Sequence, residues 1–341
     1  MGFSPQGSIS KAILRYLVRG VVGITRYIVK PEDSDKAPPW PIAPMARLSQ
    51  KRMRNGKPIL KQMRLGYRLS SALFHMDDKP MHDMAEYDIG SGLMVRMYRP
   101  LGLPEGKPAP AMLFFHGGGF VIGDLETHDT TCRYLAHSAG VVVFAVNYRL
   151  APEHKFPAAL EDADTALKWL RAQAKNLNID KKRIGAGGDS AGARLALTLA
   201  LEGKGKIPDF LWLVYPAVDM TLDTASKKKH VADLFLTTGV MNWFISQFLP
   251  DDMDMKNSII SPLKSPKLAK LPPTYLMSVG FDPLYDEIAM LAKAVKKAGA
   301  DIHYVHYPRL AHEIFAISGV VPEAKAAIKE AALELKKLAG S

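Results

Sequence analysis

Residues 183–201, RIGAGGDSAGARLALTLAL, constrain the fold more than any other stretch: a short apolar run enters Gly188-Asp189-Ser190-Ala191-Gly192 and passes without a linker into a helical segment. A strand-to-helix turn this tight is strained, and glycines on both sides of Ser190 remove side chains that would collide with the two elements. Ser190 is thereby set at a helix N-terminus, its hydroxyl facing a cleft, where the helix dipole favours developing negative charge. Such a turn requires a buried strand before it and a helix packed behind it, which is the geometry of an α/β sheet.

The remaining sequence supplies that sheet. AMLFFH (111–116), VVVFAVNY (141–148), FLWLVYP (210–216) and TYLMSVG (274–280) are nearly continuous apolar runs, as strands buried on both faces of a parallel sheet should be. LMVRMYRP (93–100) alternates, as a half-exposed strand does, and the β pattern begins at Glu86. Helical stretches at 129–138, 158–173, 191–201 and 287–298 separate these runs, so the class is α/β with a largely parallel sheet. The alternation lapses between Ala217 and Pro266 into an irregular, partly helical insertion rich in Leu, Phe, Met and Trp243.

Ahead of the sheet, residues 9–28 place Ile9, Ile13, Leu17, Ile24 and Ile28 near one side of an amphipathic helix, and four prolines between Ala37 and Pro44 hinge it from the rest of the chain. Laid over the body of the protein, this helix is structural; its basic face leaves peripheral contact with an anionic membrane open. Lys11, Arg15, Arg19 and Arg26 interrupt any export signal, and no charge-free run of about 18 apolar residues occurs, so a cytoplasmic protein is expected. The single cysteine, Cys132, excludes a disulfide framework and a cysteine-cluster metal site. With 45 Lys and Arg against 34 Asp and Glu the formal charge is +11, but no interleaved aromatic pattern accompanies the basic residues, so no nucleic-acid partner is expected.

A serine hydroxyl is a poor nucleophile near neutral pH, so Ser190 demands a histidine base and a carboxylate to orient it, downstream in the order Ser, Asp, His. Asp282, in SVGFDPLYDE, follows a buried strand, and His312, in VHYPRLAHEIF, follows the next, at 302–307. Asp286 is the rival acid, but Glu287 and a helix follow at once, so helix capping is its expected task. Acyl transfer also needs backbone N–H donors for an oxyanion. His116-Gly117-Gly118-Gly119 can bring its main chain close to a substrate, and the amides of Gly117, Gly118 and Ala191 are expected to form that hole, with His116 fixing the loop.

HGGGF (116–120), NYRLAPEHKFPAALED (147–162), GDSAG (188–192), SPL (261–263), DPLYDE (282–287) and His312, taken in order over residues 85–338, resemble the hormone-sensitive-lipase-like family of α/β-hydrolases. The resemblance implies an α/β-hydrolase fold with an eight-stranded, mostly parallel sheet flanked by helices, and a mainly helical cap. It implies serine carboxylesterase activity on short- to medium-chain esters, a small-molecule ester as partner, and neither metal nor organic cofactor. The corresponding division is 1–60 and 217–260 for the cap and 61–216 and 261–341 for the catalytic domain. Asp189, Phe235, Leu236, Trp243 and Phe244, with Phe248, are expected at the substrate pocket. The family often dimerises, so a homodimer is allowed.

Two departures stand out. Where the family often has glycine two or three residues before the histidine and HGF at it, this chain has Arg309 and His312-Glu313-Ile314; Arg309 and Glu313 are either two solvated surface charges or, being suitably spaced, a pair that braces the loop. After the elbow, Gly192-Ala193-Arg194-Leu195 replaces the commoner Gly-Gly-Asn-Leu, and the sequence names no partner for Arg194. Two other readings compete: a membrane-surface lipase using the basic N-terminal helix, and a non-catalytic small-molecule receptor on the same fold.

Overall fold

A computed structural model describes residues 60–229 and 236–340. The amphipathic helix at 9–28 lies outside them, as does all but Leu60 of the first cap segment. The elements run α1 (Leu60–Phe74), β1 (Met81–Asp88), β2 (Met94–Pro100), β3 (Ala109–Phe115), α2 (Asp129–Ala139), β4 (Val142–Val146), α3 (Ala158–Gln173), β5 (Ile179–Asp189) and α4 (Ala191–Glu202). They continue with β6 (Leu211–Val214), α5 (Ala225–Lys229), α6 (Thr238–Phe248), β7 (Thr274–Phe281), α7 (Tyr285–Lys297), β8 (Ile302–Ala311) and α8 (Pro322–Ala339).

One eight-stranded sheet has the order β1-β2-β4-β3-β5-β6-β7-β8. β1 pairs antiparallel with β2, and β2 antiparallel with β4; every later pairing is parallel. The central strands earn their position by composition: every residue of β3, β4 and β6 is buried, as expected for strands covered on both faces. The sheet starts earlier than its sequence pattern, at Met81 rather than Glu86, because β1 is an edge strand whose exposed His82, Asp83, Glu86 and Asp88 break the apolar signal. Helix α2 packs against α8, α3 against α4, and α7 along β7 and β8. Trp212 of β6 is fully buried and donates its indole N–H to the Ala331 carbonyl of α8 at 2.8 Å, tying sheet and helix together.

Helix α4 is apolar nearly all round and buried from Ala191 to Leu201, which makes it a rigid post behind the turn that precedes it. The insertion after β6 holds α5 and α6, and its root is pinned to α7. Ser226 donates its amide to the Asp286 carboxylate at 2.8 Å, and Lys227 pairs with the buried Glu287 at 2.7 Å. Asp286 therefore fastens the insertion instead of capping its own helix, whose N-cap has no side-chain bond. Among the described residues no helix is long and apolar enough to cross a membrane, and no cluster of His, Cys, Asp or Glu could hold a metal ion.

Candidate active site

Parallel strands end on the same edge, and β3, β5, β7 and β8 deliver their following residues to one place. At the end of β5 the backbone turns at Ser190 with φ +52° and ψ −118°, on the left-handed side that a serine enters only under constraint. The constraint is visible. The Ser190 amide donates to the Val214 carbonyl of β6 at 2.9 Å, and its carbonyl accepts the Arg194 amide of α4 at 3.0 Å. A Cβ on either Gly188 or Gly192 would overlap the Phe115 carbonyl oxygen of β3, so only glycines let this turn lie against its neighbouring strand.

Three predicted residues meet there. His312 Nε2 is 2.9 Å from Ser190 Oγ, and His312 Nδ1 is 2.8 Å from Asp282 Oδ2. An ionised carboxylate only accepts, so the Nδ1–H donates to Asp282 and Nε2 is left with the lone pair that faces the serine hydroxyl. Asp282 is held in turn, its Oδ1 accepting the Leu284 amide at 2.8 Å. Asp282 and His312 are buried, and the Tyr215 ring packs 4.3 Å from the imidazole. Burial alone would depress the basicity of His312; the adjacent Asp282 charge and hydrogen bond, helped by Glu313 and Asp189, outweigh it and hold the imidazole above its ordinary value.

The glycine loop departs from expectation at one position. Gly117 donates its amide to Asp189 Oδ1 at 2.9 Å, so that N–H is already committed and cannot serve an oxyanion. The amides of Gly118, Gly119 and Ala191 donate to no described residue, which moves the available donor set one residue along the loop. Asp189 likewise departs from the place expected of it at the substrate pocket. Only 1% exposed, it does not line a pocket; it holds Gly117 and lies 3.3 Å from His128 Nε2. Burial disfavours its charge, but His128 and the Gly117 amide outweigh that and keep its carboxyl below the usual range.

His116 completes the loop's support from beneath. Its ring stacks on Tyr148 at 4.3 Å, Nδ1 donates to the Gly117 carbonyl at 2.7 Å, and the Tyr148 hydroxyl donates to the His116 carbonyl at 2.7 Å. Burial, with His128 close by, pushes the His116 imidazole down to about 4, so it stays neutral in its structural task.

Of the expected pocket residues, Phe244 of α6 reaches the site, its ring pressed onto Gly119 where a Cβ would otherwise stand, with Trp243 beside it at 5.3 Å. Leu236 is buried. Phe235 lies outside the described residues. Phe248 stacks on Phe120 at 4.0 Å, and the guanidinium of Arg194 lies over both rings at 5.4 and 5.3 Å. Arg194, whose partner the sequence could not name, donates to the Ile260 carbonyl at 2.6 Å, and burial pushes it down to about 10.

The Arg309–Glu313 pair does not form: Arg309 is an exposed charge on β8, as the alternative reading had it, while Glu313 is half-buried and accepts from the Tyr67 hydroxyl of α1 at 3.2 Å. Tyr67, His128 and Tyr215 escaped the sequence reading altogether. His128 carried a weak signal, sitting in the loop that the glycines open; Tyr67, 246 positions from its partner, carried none.

Residues 112–316 match a protein-family model described as an alpha/beta hydrolase fold. The chain is 38% identical over 227 residues to the carboxylic ester hydrolase LipN of Mycobacterium tuberculosis, covering 64% of this chain and 59% of that protein. It is 35% identical over 242 residues to an ethyl acetate hydrolase of Pseudomonas putida, 69% of this chain and 75% of that one. The chain thus spans less than two thirds of LipN and three quarters of the second relative. Among solved structures, a hyperthermophilic esterase from the archaeon Pyrobaculum calidifontis superposes with a TM-score of 0.78 at 33% identity, covering 89% of this chain and all of that one. An alpha/beta hydrolase enzyme from the metagenome of Lake Arreo, Spain, superposes with a TM-score of 0.80 at 31% identity, covering 88% and 98%.

Proposed function

The chain belongs to the alpha/beta hydrolase fold family, and we propose that it is a serine carboxylesterase hydrolysing short- to medium-chain carboxylic esters through an acyl-enzyme. The observation that carries this reading is the unbroken hydrogen-bonded series from Asp282 through His312 to Ser190, set beside backbone amides with no other partner among the described residues.

Ser190 Oγ attacks the ester carbonyl while His312 Nε2 takes its proton; Asp282 keeps the imidazole in the reactive tautomer and stabilises the imidazolium without taking the proton itself. The tetrahedral oxyanion is received by the amides of Gly118, Gly119 and Ala191, and the last of these also brings the N-terminal end of α4. His312 then passes its proton to the leaving alkoxide, forming the alcohol and the acyl-enzyme. Water repeats the sequence: His312 deprotonates it, the acyl carbon accepts it, and Ser190 leaves with the proton returned. Phe244 and Trp243 form an apolar wall beside the oxyanion loop, which suits an uncharged acyl chain.

Hydrolysis of p-nitrophenyl esters across a series of acyl lengths, by wild type and Ser190→Ala, tests the reading. Activity greatest on short acyl chains and lost in the variant is expected. A folded wild type inert on every length would overturn it and favour a ligand-binding protein on the same fold.

A further inference from the structure

The backbone at residue 313 has φ +71°, a conformation natural to glycine and strained for any other L residue. The chain nevertheless places a glutamate there, directly after His312. Its carboxylate accepts from the Tyr67 hydroxyl, and Tyr67 sits in α1, which is fastened to the loop after the glycines by Arg64 through the Val121 carbonyl at 2.9 Å. Glu313 thus spans from the histidine loop to the helix lying over the oxyanion loop. The side chain is half-buried, and the ionisable groups around it are His312, Asp189, His128 and the hydroxyls of Tyr67 and Tyr215; burial and the Asp189 charge hold its carboxyl above the usual carboxylate range, against the pull of His312 and His128.

In the proposed mechanism His312 Nε2 returns a proton to the departing alkoxide, so the alcohol half of the ester leaves beside His312, the residue that Glu313 directly follows. Three carboxylates, Asp189, Asp282 and Glu313, surround the Ser190–His312 pair. The nearby arginines are engaged elsewhere, Arg64 with Glu153, Arg68 with Asp124, and Arg194 with the Phe120 and Phe248 rings. Resting on the esterase reading, we infer that Glu313, oriented by Tyr67, is the specificity determinant for the alcohol half and selects esters whose alcohol carries a cationic N–H group, such as a protonated amino alcohol. A charge-assisted hydrogen bond to a partly desolvated carboxylate discriminates strongly against an isostere that cannot donate.

The test compares two butyrates of nearly the same shape, dimethylaminoethyl butyrate and isoamyl butyrate, near neutral pH and at constant ionic strength. Wild type is expected to prefer the amino ester. Glu313→Gln keeps the side-chain volume and an acceptor for Tyr67; it should reduce that preference about tenfold, through KM of the amino ester rather than kcat. Glu313→Gly relieves the positive φ and should lose at least as much preference, while Tyr67→Phe, which frees the carboxylate, should lose part of it. The inference is overturned if wild type shows no preference. It is overturned too if the ratio survives in Glu313→Gln, or if both esters slow equally in every variant, which is what a mere brace would produce. Hydrolysis of neither ester by folded wild type would instead sink the esterase reading, and this inference with it.

Discussion

Two buried aspartates stand on either side of the nucleophile, each at or just past the end of a parallel strand, and they do different work. Asp282, after β7, faces an imidazole whose charge changes in every turnover; Asp189, ending β5, faces an amide that never ionises and a second histidine set back from the serine. The chemical group is the same. The partner decides whether its charge is drawn into every turnover or chiefly its acceptor oxygen is, holding a loop.

That contrast can be broken most sharply by making one exchange at both positions. Asp282→Asn should cost about 10⁴-fold in kcat, because a side-chain amide can stabilise the wrong imidazole tautomer and no longer offsets the imidazolium. The same exchange at Asp189 leaves an oxygen for Gly117 and should cost less than the roughly 100-fold expected on losing one oxyanion donor. Equal losses in stopped-flow or steady-state kinetics would end the distinction. Asp189→Ala, which orphans the Gly117 amide, should move the damage from rate to folding, lowering stability by about 1–3 kcal/mol in urea unfolding.

The smallest expected effect is on pH. His312 must be neutral to accept the serine proton, and its surroundings hold it above its ordinary value of 6.5, so the acid limb of kcat/KM in wild type should have its midpoint above 6.5. Below that midpoint activity falls as the imidazole charges. Asp189 is among the charges that favour the imidazolium, so Asp189→Asn should shift the limb slightly toward lower pH. An upward shift, measured across a buffered pH series, would contradict the assigned electrostatics.

Much of this arrangement was legible in the chain. Ser190 and Asp282 follow runs that fold as largely buried strands, His312 follows the half-exposed edge strand β8, and chain order picked His312 from ten histidines. What escaped depended on directions that spacing does not encode. Peptide orientation within Gly117-Gly118-Gly119 decides which amides are free, and the positive φ values of Gly118 and Gly119 belong to the folded loop, not to its composition. Asp189 looked like a pocket residue because it adjoins Ser190, yet neighbours along the chain at a strand end point to opposite sides. Arg309 and Glu313 were suitably spaced for a pair, but β8 presents Arg309 to solvent while the turn carries Glu313 toward α1.

Anyone wishing to transplant this nucleophile into another scaffold would copy too little by copying five residues. The turn at Ser190 keeps its unusual backbone because Gly188 and Gly192 lie against the Phe115 carbonyl while Val214 of β6 holds the Ser190 amide, and Phe115 ends the very strand from which the oxyanion loop departs. The smallest graft that carries the turn and its anion receptor is therefore three neighbouring parallel strands, β3, β5 and β6, with Phe115 opposite Gly188 and α4 behind them; Asp282 and His312 must still be supplied from the ends of β7 and β8. Nucleophile and anion receptor are in that sense one structural module, and a displacement of either strand would carry through to the other.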